Sequence, residues 1–339
     1  MIRRLPSPAR MPALVAGVLL LIAPSTGMAA DPAPPPGGWT AGLLREHPLA
    51  GRVWSARDKD FVPAERALQD AAGAELVLLG EIHDNPDHHR LQAHVIGAMV
   101  RAGRRPAVAF EQIPRGLQPA LDAHLAEKPG DAAGIGAAVD WTERGWPDWA
   151  QYQPIADAAL AAELPLLAAD PDEAERRAVG RGGLEALPPE RRAELALDRP
   201  YPEAFTEKLG RTMVEAHCGL MPIEAAGPLV DVQRLRDATL ADTMVRAVEG
   251  GADGAVLITG DGHAQEDLAA PWYLRARLPE AEIVTIAFRE VEPDSTDPAG
   301  YVEAEPEGGP PFDYVWFTPA TERGDPCAEM RERFGGGKR

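Results

Sequence analysis

The chain has 339 residues, of which 45% are hydrophobic and 26% charged, and its formal net charge is −19 at pH 7. A surface this acidic repels nucleic-acid phosphates and anionic lipid headgroups, so we expect neither nucleic-acid binding nor stable membrane insertion. The length suits one large domain with insertions or two small ones.

The first 30 residues predict a secretory signal. Three arginines precede an apolar stretch over 12–23, and small residues follow as far as Ala29 and Ala30. An uncleaved anchor is the alternative, but the apolar stretch is short for a bilayer span. We therefore expect cleavage near Ala29 or Ala30 and a periplasmic or secreted protein. No cysteine lies near the cleavage region, so we do not expect a lipoprotein.

Composition then predicts how the rest of the chain is divided. Residues 31–52 form a Pro-rich leader, and we expect residues 31–39 of it not to pack. A single α/β domain is predicted over 53–320, and within it a helical insertion over about 171–228. Residues 321–339 are expected to be a C-terminal tail.

Apolar runs predict the strands of the domain. Five of them lack polar alternation, which is typical of strands buried on both faces, and helical stretches separate them. This order predicts a mostly parallel sheet with helices on both faces. A later apolar run over 314–318 predicts an edge strand or a tail packed on the core. The five runs cover residues 75–81, 106–111, 164–170, 255–260 and 282–288.

A helix is predicted to begin directly after the first of these strands. Asn85 suits its N-cap, and Pro86 suits its first turn. His88 and His89 are adjacent in this helix, so their side chains leave it in different directions. We expect one of them to face solvent and the other to look across the entrance of a site.

Acidic and histidine residues stand where four of the predicted strands end. Open parallel sheets bind ligands beyond the carboxyl ends of their strands, so these residues predict one ligand or catalytic site. In the alternative, they cap neighbouring helices and pair with one another. They are Glu81, His83, Glu111, Asp170, Asp261 and His263.

Arg236 lies in an otherwise apolar stripe of the helix predicted after Pro228. An arginine on a buried face needs a carboxylate partner, which the strand ends could supply. In the alternative, its aliphatic stem follows the helix surface and its guanidinium reaches solvent.

The chain has two cysteines, Cys218 and Cys327. In an oxidising compartment two thiols either pair or remain isolated, and we expect a disulfide between them. The sequence contains no CxxC or CxxCH motif, which excludes a thiolate zinc site and covalently attached haem.

Several motifs resemble the ChaN family of haem-binding, iron-regulated proteins. The most specific is the run LLGEIHDNPDHH over residues 78–89. The likeness extends over roughly residues 60 to 290 and includes residues 108–111, 145–149, 217–219, 233–237 and 260–263.

The resemblance implies a fold shared with the TraB/Tiki and erythromycin-esterase-like groups. It also implies non-covalent haem binding, with the iron held by a tyrosine in a homodimer and a histidine of the other subunit reaching a propionate. Tyr152 is the first candidate for this tyrosine because it follows the motif at 145–149, and Tyr201 and Tyr273 are weaker candidates. In the alternative, Tyr152 is a half-buried aromatic residue under the insertion.

The leading interpretation is a periplasmic haem-binding protein of iron or haem uptake. Its expected partners are haem, a second copy of the chain, and an outer-membrane haem receptor or transporter. The residues expected to contact haem are Tyr152, His88, His89, Glu81, His83, Arg236 and His263.

A hydrolase is the alternative interpretation, because related folds include esterases and proposed proteases. In this case Glu81 or Glu111 acts as general base, and His83 and His263 bind a divalent metal or polarise the substrate. Two carboxylates would not be needed merely to seat a porphyrin, which favours this alternative.

Overall fold

A computed structural model describes residues 31–302 and 309–335. The signal predicted over residues 1–30 therefore lies outside the described residues. Across the two described ranges, no helix combines the length and the apolar character that crossing a bilayer requires.

The centre of the structure is one eight-stranded sheet with the strand order β2-β1-β8-β7-β3-β6-β4-β5. Neighbouring strands are parallel from β8 to β5, whereas β1 is antiparallel to both β2 and β8. The strands are β1 Val53–Ser55, β2 Asp60–Val62, β3 Leu76–Glu81, β4 Ala107–Pro114, β5 Leu166–Asp170, β6 Ala255–Gly260, β7 Ile283–Glu290 and β8 Tyr314–Thr318.

Helices cover both faces of this sheet, which confirms the predicted fold class. The helices are α1 Ala64–Gly73, α2 Pro86–Arg101, α3 Gln118–Glu127, α4 Ala132–Ala138, α5 Trp149–Ala161, α6 Glu173–Gly182, α7 Pro189–Glu194, α8 Glu203–Ala216, α9 Gly227–Glu249, α10 Ala270–Arg277 and α11 Pro326–Gly335.

The alternation of side chains along β3 divides the core into two layers. Val77 and Leu79 pack in one layer with residues of α1, α2 and α5, and Leu76 and Leu78 pack in the other with residues of α6, α9 and α10. All six residues of β3 are buried. An apolar run without alternation is what a strand covered on both faces requires.

The predicted helical insertion contains α6, α7 and α8. Phe205 and Leu209 of α8 pack with Val230 of α9 and Leu268 in a third, smaller apolar cluster. The disulfide between Cys218 and Cys327 is present and confirms the predicted pairing. It joins the residues that follow α8 to the first turn of α11.

The run over 314–318, predicted to be an edge strand or a tail packed on the core, forms the internal strand β8 instead. Val53 pairs with Trp316 in an antiparallel ladder, and Phe288 pairs with Trp316 in a parallel one, so β8 lies inside the sheet. The apolar run over 314–318 therefore reflects a strand with partners on both sides. The hairpin of β1 and β2, with three residues in each strand, was not predicted.

The prediction that residues 31–39 do not pack was also wrong, and the residues that follow them are held as well. The carboxylate of Asp87, at the start of α2, accepts hydrogen bonds from the backbone N–H groups of Thr40 and Ala41 at 2.8 Å. Arg90 donates to the carbonyl of Gly38 at 2.6 Å. The charged first turn of α2 thus holds the leader against the domain. The predicted helix start is confirmed, because the Asn85 side chain accepts a hydrogen bond from the Asp87 N–H.

Candidate functional site

The carboxylate of Glu81 is the centre of a buried hydrogen-bond network at the carboxyl end of β3. Its Oε1 atom accepts hydrogen bonds from the Tyr152 hydroxyl at 2.6 Å and from the Gln112 amide at 2.9 Å. His83 Nδ1 lies 2.8 Å from the same oxygen. Tyr152 belongs to α5 and Gln112 to β4. The network therefore links three elements of the fold through one carboxylate.

Positive charge keeps Glu81 ionised in spite of its burial. Burial would raise the pKa of this carboxyl, but the charges of His89 and His83 and the hydrogen bond to His83 hold the pKa well below its usual range. Burial and the neighbouring Glu81 charge raise the pKa of the Tyr152 phenol well above its usual value. Tyr152 is therefore a neutral donor to a charged acceptor.

His83 is the member of this network that reaches solvent. Its side chain is 36% exposed, and its ring lies edge-on to Trp146 with the ring centroids 4.9 Å apart. Burial opposes protonation of His83, but the hydrogen bond to Glu81 and the charges of Glu111 and Glu81 raise its pKa to about 9. Gly260 leaves room for the ring, since a Cβ there would lie 3.0 Å from His83 Nε2. At neutral pH the site thus presents an imidazolium beside an indole.

We expect the stability that His83 contributes to disappear in alkaline solution. The pKa of His83 rises from 6.5 to about 9 on folding, so its contribution is complete below pH 6.5 and is lost as the pH rises through 9. Thermal unfolding of the wild type and of His83→Gln between pH 6 and pH 10 measures this. The difference between the two melting temperatures should decrease from pH 6 to pH 10. A constant difference would contradict a raised pKa of His83.

Arg236 links the ends of β4 and β5. Its Nη2 lies 2.7 Å from Glu111 Oε1 and its Nε lies 2.7 Å from Asp170 Oδ1, so the predicted carboxylate partners exist. Arg176 binds the other oxygen of Asp170 at 2.8 Å, and Thr259 donates to Glu111 at 2.6 Å. Burial would raise the pKa of Glu111, but the surrounding positive charges and hydrogen bonds hold it well below its usual range. The ion cluster is therefore fully paired.

His263 is oriented by a second carboxylate. Its Nδ1 lies 2.6 Å from Asp237 Oδ1 and 3.1 Å from the Gln233 amide nitrogen, and its Nε2 lies 3.5 Å from Glu111 Oε1. Burial raises the pKa of Asp237 to about 6 against the opposing effect of His263. One nitrogen of His263 is thus held by α9, and the other points at the ion cluster.

The prediction for the adjacent histidines was wrong, because both are buried. His88 Nδ1 accepts a hydrogen bond from the Ile82 N–H at 2.9 Å, so its Nε2 carries the proton and donates to Thr318. His89 stacks on the Tyr152 ring with the centroids 3.8 Å apart. Neither imidazole reaches solvent, because α2 packs against β3 on one side and α5 on the other.

The structure brings most of the predicted strand-end residues into one site. Asp261 is the exception, because it binds Arg289 at 2.6 Å. The residues that meet are Glu81, His83, Glu111, Asp170, Arg236 and His263.

Three residues of the site, Gln112, Gln233 and Asp237, were not predicted. Gln112 follows Glu111 in β4, where consecutive side chains point to opposite faces, so it turns to Glu81 while its neighbour turns to Arg236. Gln233 and Asp237 are four residues apart on α9, and this spacing places them on one side of the helix. Their proximity to His263 depends on how α9 crosses the sheet.

Candidate metal ligands do not converge in this part of the fold. Among residues 31–302 and 309–335, no group of three or more His, Cys, Asp or Glu side chains is arranged to hold a metal ion. Beside the site, a cavity of about 620 Å³ is lined by charged residues and Trp146. The arrangement can bind a polar group through His83 or activate one through His263.

Comparisons with known proteins give one family and a small number of solved structures. The family model described as "Haem-binding uptake, Tiki superfamily, ChaN" matches residues 67–274, and no curated protein sequence matches the chain. Campylobacter jejuni ChaN, in a structure of cofacial haem binding, has a TM-score of 0.59 at 18% identity, covering 78% of this chain and 95% of that one. A mutant of the erythromycin esterase EreC in its open conformation gives a TM-score of 0.46 at 14% identity, with 81% of this chain and 99% of that one covered. The type III effector HopBA1 gives a TM-score of 0.43 at 13% identity, with 87% of this chain and 100% of that one covered.

Proposed function

Because the chain belongs to the ChaN family of haem-binding uptake proteins in the Tiki superfamily, we propose that it binds haem non-covalently. The observation that carries the proposal is the match of the family model over residues 67–274. The fold is also similar to that of Campylobacter jejuni ChaN, with 95% of that chain covered, and this similarity supports the proposal. We also propose that the mature protein works in the periplasm or outside the cell, as its signal-like N-terminus suggests.

The strand-end site does not fit a porphyrin. Glu111, Asp170 and Arg236 are bonded to one another, and His263 is held by Asp237. A porphyrin needs a broad apolar surface, and opening this cluster would leave buried charges unpaired. The site therefore fits a small polar group better than a haem, and the porphyrin is expected to bind at another surface.

Tyr152 also fits poorly as the iron ligand. Its side chain is fully buried, and its hydroxyl donates to the Glu81 carboxylate. The phenolate is the form of tyrosine that binds ferric iron, whereas burial and Glu81 keep this phenol protonated by raising its pKa. The proposed haem binding therefore does not depend on Tyr152.

We expect Tyr152→Phe to retain saturable hemin binding. The substitution removes one hydrogen bond to Glu81, which keeps the bonds from Gln112 and His83. Titration of the mature apo-protein with hemin, followed by the Soret absorption, measures binding in both proteins. If Tyr152→Phe saturates with the same shifted Soret band as the wild type, the iron ligand is a residue other than Tyr152. Loss of the band in a variant with the wild-type circular dichroism spectrum would restore Tyr152 as the ligand.

The proposed partners are a second copy of the chain and an outer-membrane haem receptor or transporter. The cofacial haem of Campylobacter jejuni ChaN supports the idea that two copies meet around haem. Light scattering of the protein with and without hemin tests this. A mass that doubles with hemin supports haem-dependent dimers, and a constant monomer mass would contradict them.

Hydrolysis at the strand-end site is a second candidate function. The observation that favours it is the contact of His263 Nδ1 with Asp237, because a carboxylate at this nitrogen orients an imidazole for acid–base catalysis. A divalent metal would have to displace the existing bonds of His83, Glu111 and His263. Ester hydrolysis by the wild type that His263→Ala abolishes would favour this function, and equal rates in both proteins would oppose it.

A further inference from the structure

The cavity of about 620 Å³ beside the strand-end site lies where β4 and β5 end and α6 begins. Part of its wall is apolar and is formed by Trp146, Leu117 and Pro114. The rest of the wall carries charged side chains of both signs. A concave site that combines apolar surface with a few polar groups is typical of small-molecule binding. The charged residues are Glu143, Arg144, Asp170, Asp172, Glu173 and Arg176.

Arg176 uses only part of its guanidinium within the protein. Its Nη1 lies 2.8 Å from Asp170 Oδ2, and among the described residues its Nε and Nη2 have no hydrogen-bond partner. These two nitrogens share one edge of the planar group, where their N–H bonds fit the two oxygens of a carboxylate. The Arg176 side chain is 31% exposed, whereas the Asp170 side chain that holds it is 3% exposed. Arg176 therefore presents a fixed and accessible edge to an anion.

Guanidinium groups outnumber carboxylates around Asp170. Arg236 and Arg176 both bond to Asp170, and Arg236 is shared with Glu111. Arg144 lines the same cavity, and its charge interacts with those of Asp170 and Arg176. The Nε and Nη2 atoms of Arg144 are buried and have no hydrogen-bond partner within the described chain. Three guanidinium groups thus meet two carboxylates, and one further negative charge would be stabilised here.

Acceptors for a cationic group line another part of the cavity. Glu143 makes no hydrogen bond or ion pair within the described residues, and Asp172 uses only Oδ1, which accepts the Gly116 N–H at 2.8 Å. Gln112 is 1% exposed and donates from its amide nitrogen to Glu81, which fixes the orientation of the amide. The amide oxygen of Gln112 has no partner in the same part of the chain. The cavity therefore has free donors and free acceptors.

We propose that this cavity binds an α-amino acid with an apolar side chain. The carboxylate lies on the free edge of Arg176, and the ammonium group faces Asp172 and Glu143. The apolar side chain packs on Trp146. A purely anionic ligand such as phosphate fits less well, because the unpaired carboxylates of the wall would repel it. This inference goes beyond the proposed haem binding and does not depend on it.

Isothermal titration calorimetry of the full mature chain at pH 7 tests the ligand class. The probes are L-phenylalanine, 3-phenylpropionate, which lacks the amino group, and phenethylamine, which lacks the carboxylate. L-Phenylalanine should bind saturably. Both analogues should bind at least about tenfold more weakly, because each leaves charged groups of the wall without their partner. Inorganic phosphate should bind more weakly than L-phenylalanine.

Three variants test the residues. Arg176→Gln should weaken binding of L-phenylalanine at least about tenfold. Glu143→Gln breaks no contact of the described structure and should weaken binding of L-phenylalanine but not of 3-phenylpropionate. Arg211→Gln is the matched control, because Arg211 pairs with Glu207 on α8, where the side chains are 61% and 63% exposed. This control should bind as the wild type does.

Each part of the proposal can be overturned separately. Absence of saturable L-phenylalanine binding by the wild type would overturn the site as a whole. Equal affinity for L-phenylalanine and its two analogues, or tighter binding of phosphate, would overturn the amino-acid class. Wild-type affinity in a folded Arg176→Gln, verified by circular dichroism, would overturn the role of Arg176. None of these results depends on hemin binding, which is measured separately.

Discussion

Replacing Arg236 by Met is expected to lower the free energy of unfolding by about 3–5 kcal/mol. The Arg236 side chain is only 18% exposed, and its guanidinium bonds to Glu111 and Asp170, which are both almost completely buried. The substitution keeps much of the side-chain volume but leaves two carboxylates without their main counter-charge. Urea unfolding of the mature protein at pH 7, followed by circular dichroism, measures the loss.

An exposed ion pair provides the matched control. Arg177 binds Glu173 one turn away on α6, and both side chains are 63% exposed. Arg177→Met should cost less than about 1 kcal/mol, because exposed pairs contribute little. Arg236→Met should also recover part of its loss at lower pH, since Glu111 and Asp170 can then take up protons. Equal stability of the two variants at pH 7 would show that the buried cluster contributes no more than a surface pair.

Removal of the disulfide is expected to cost about 2–4 kcal/mol of unfolding free energy. The bond between Cys218 and Cys327 closes a long stretch of chain, with a sequence separation of 109, so it restricts the unfolded state strongly. The double variant Cys218→Ser with Cys327→Ser, compared with the oxidised wild type by urea unfolding, measures this contribution.

Reduction gives an independent measure of the same effect. Dithiothreitol should lower the stability of the wild type to that of the double serine variant and leave the variant unchanged. We also expect faster proteolysis within α11, whose first turn the disulfide holds. A wild type that is equally stable with and without reductant would contradict the assigned contribution.

The central strands could be predicted from sequence, whereas the sheet order could not. The apolar runs at β3 and β6 indicated buried strands, because strands covered on both faces need no polar residues. The run that became β8 has the same character, but its neighbours are set by pairing with Val53 and Phe288, which are distant in sequence. With three residues each, β1 and β2 carry no periodicity that could be recognised.

The site was predictable in its residue types and only partly in its contacts. Position at strand ends was sufficient to bring Glu81, Glu111 and His263 together, because all parallel strands end at one edge. The direction of Tyr152 was not predictable, since it depends on how α5 packs against α2. Its hydroxyl points inward and donates a hydrogen bond to Glu81, so it is not accessible as a ligand for haem iron.

The position of β8 affects the order in which the protein can fold. The hairpin of β1 and β2 is synthesised before the other strands, yet it joins the rest of the sheet only through β8, near the other end of the chain. Contact between β1 and β8 requires closing a loop over most of the chain, and this closure costs conformational entropy before the contact forms. The N-terminal hairpin is therefore expected to join the sheet late. Until β8 arrives, β7 has an unpaired edge that a second chain could occupy. A nascent or truncated chain without residues 314–318 should therefore aggregate through β7.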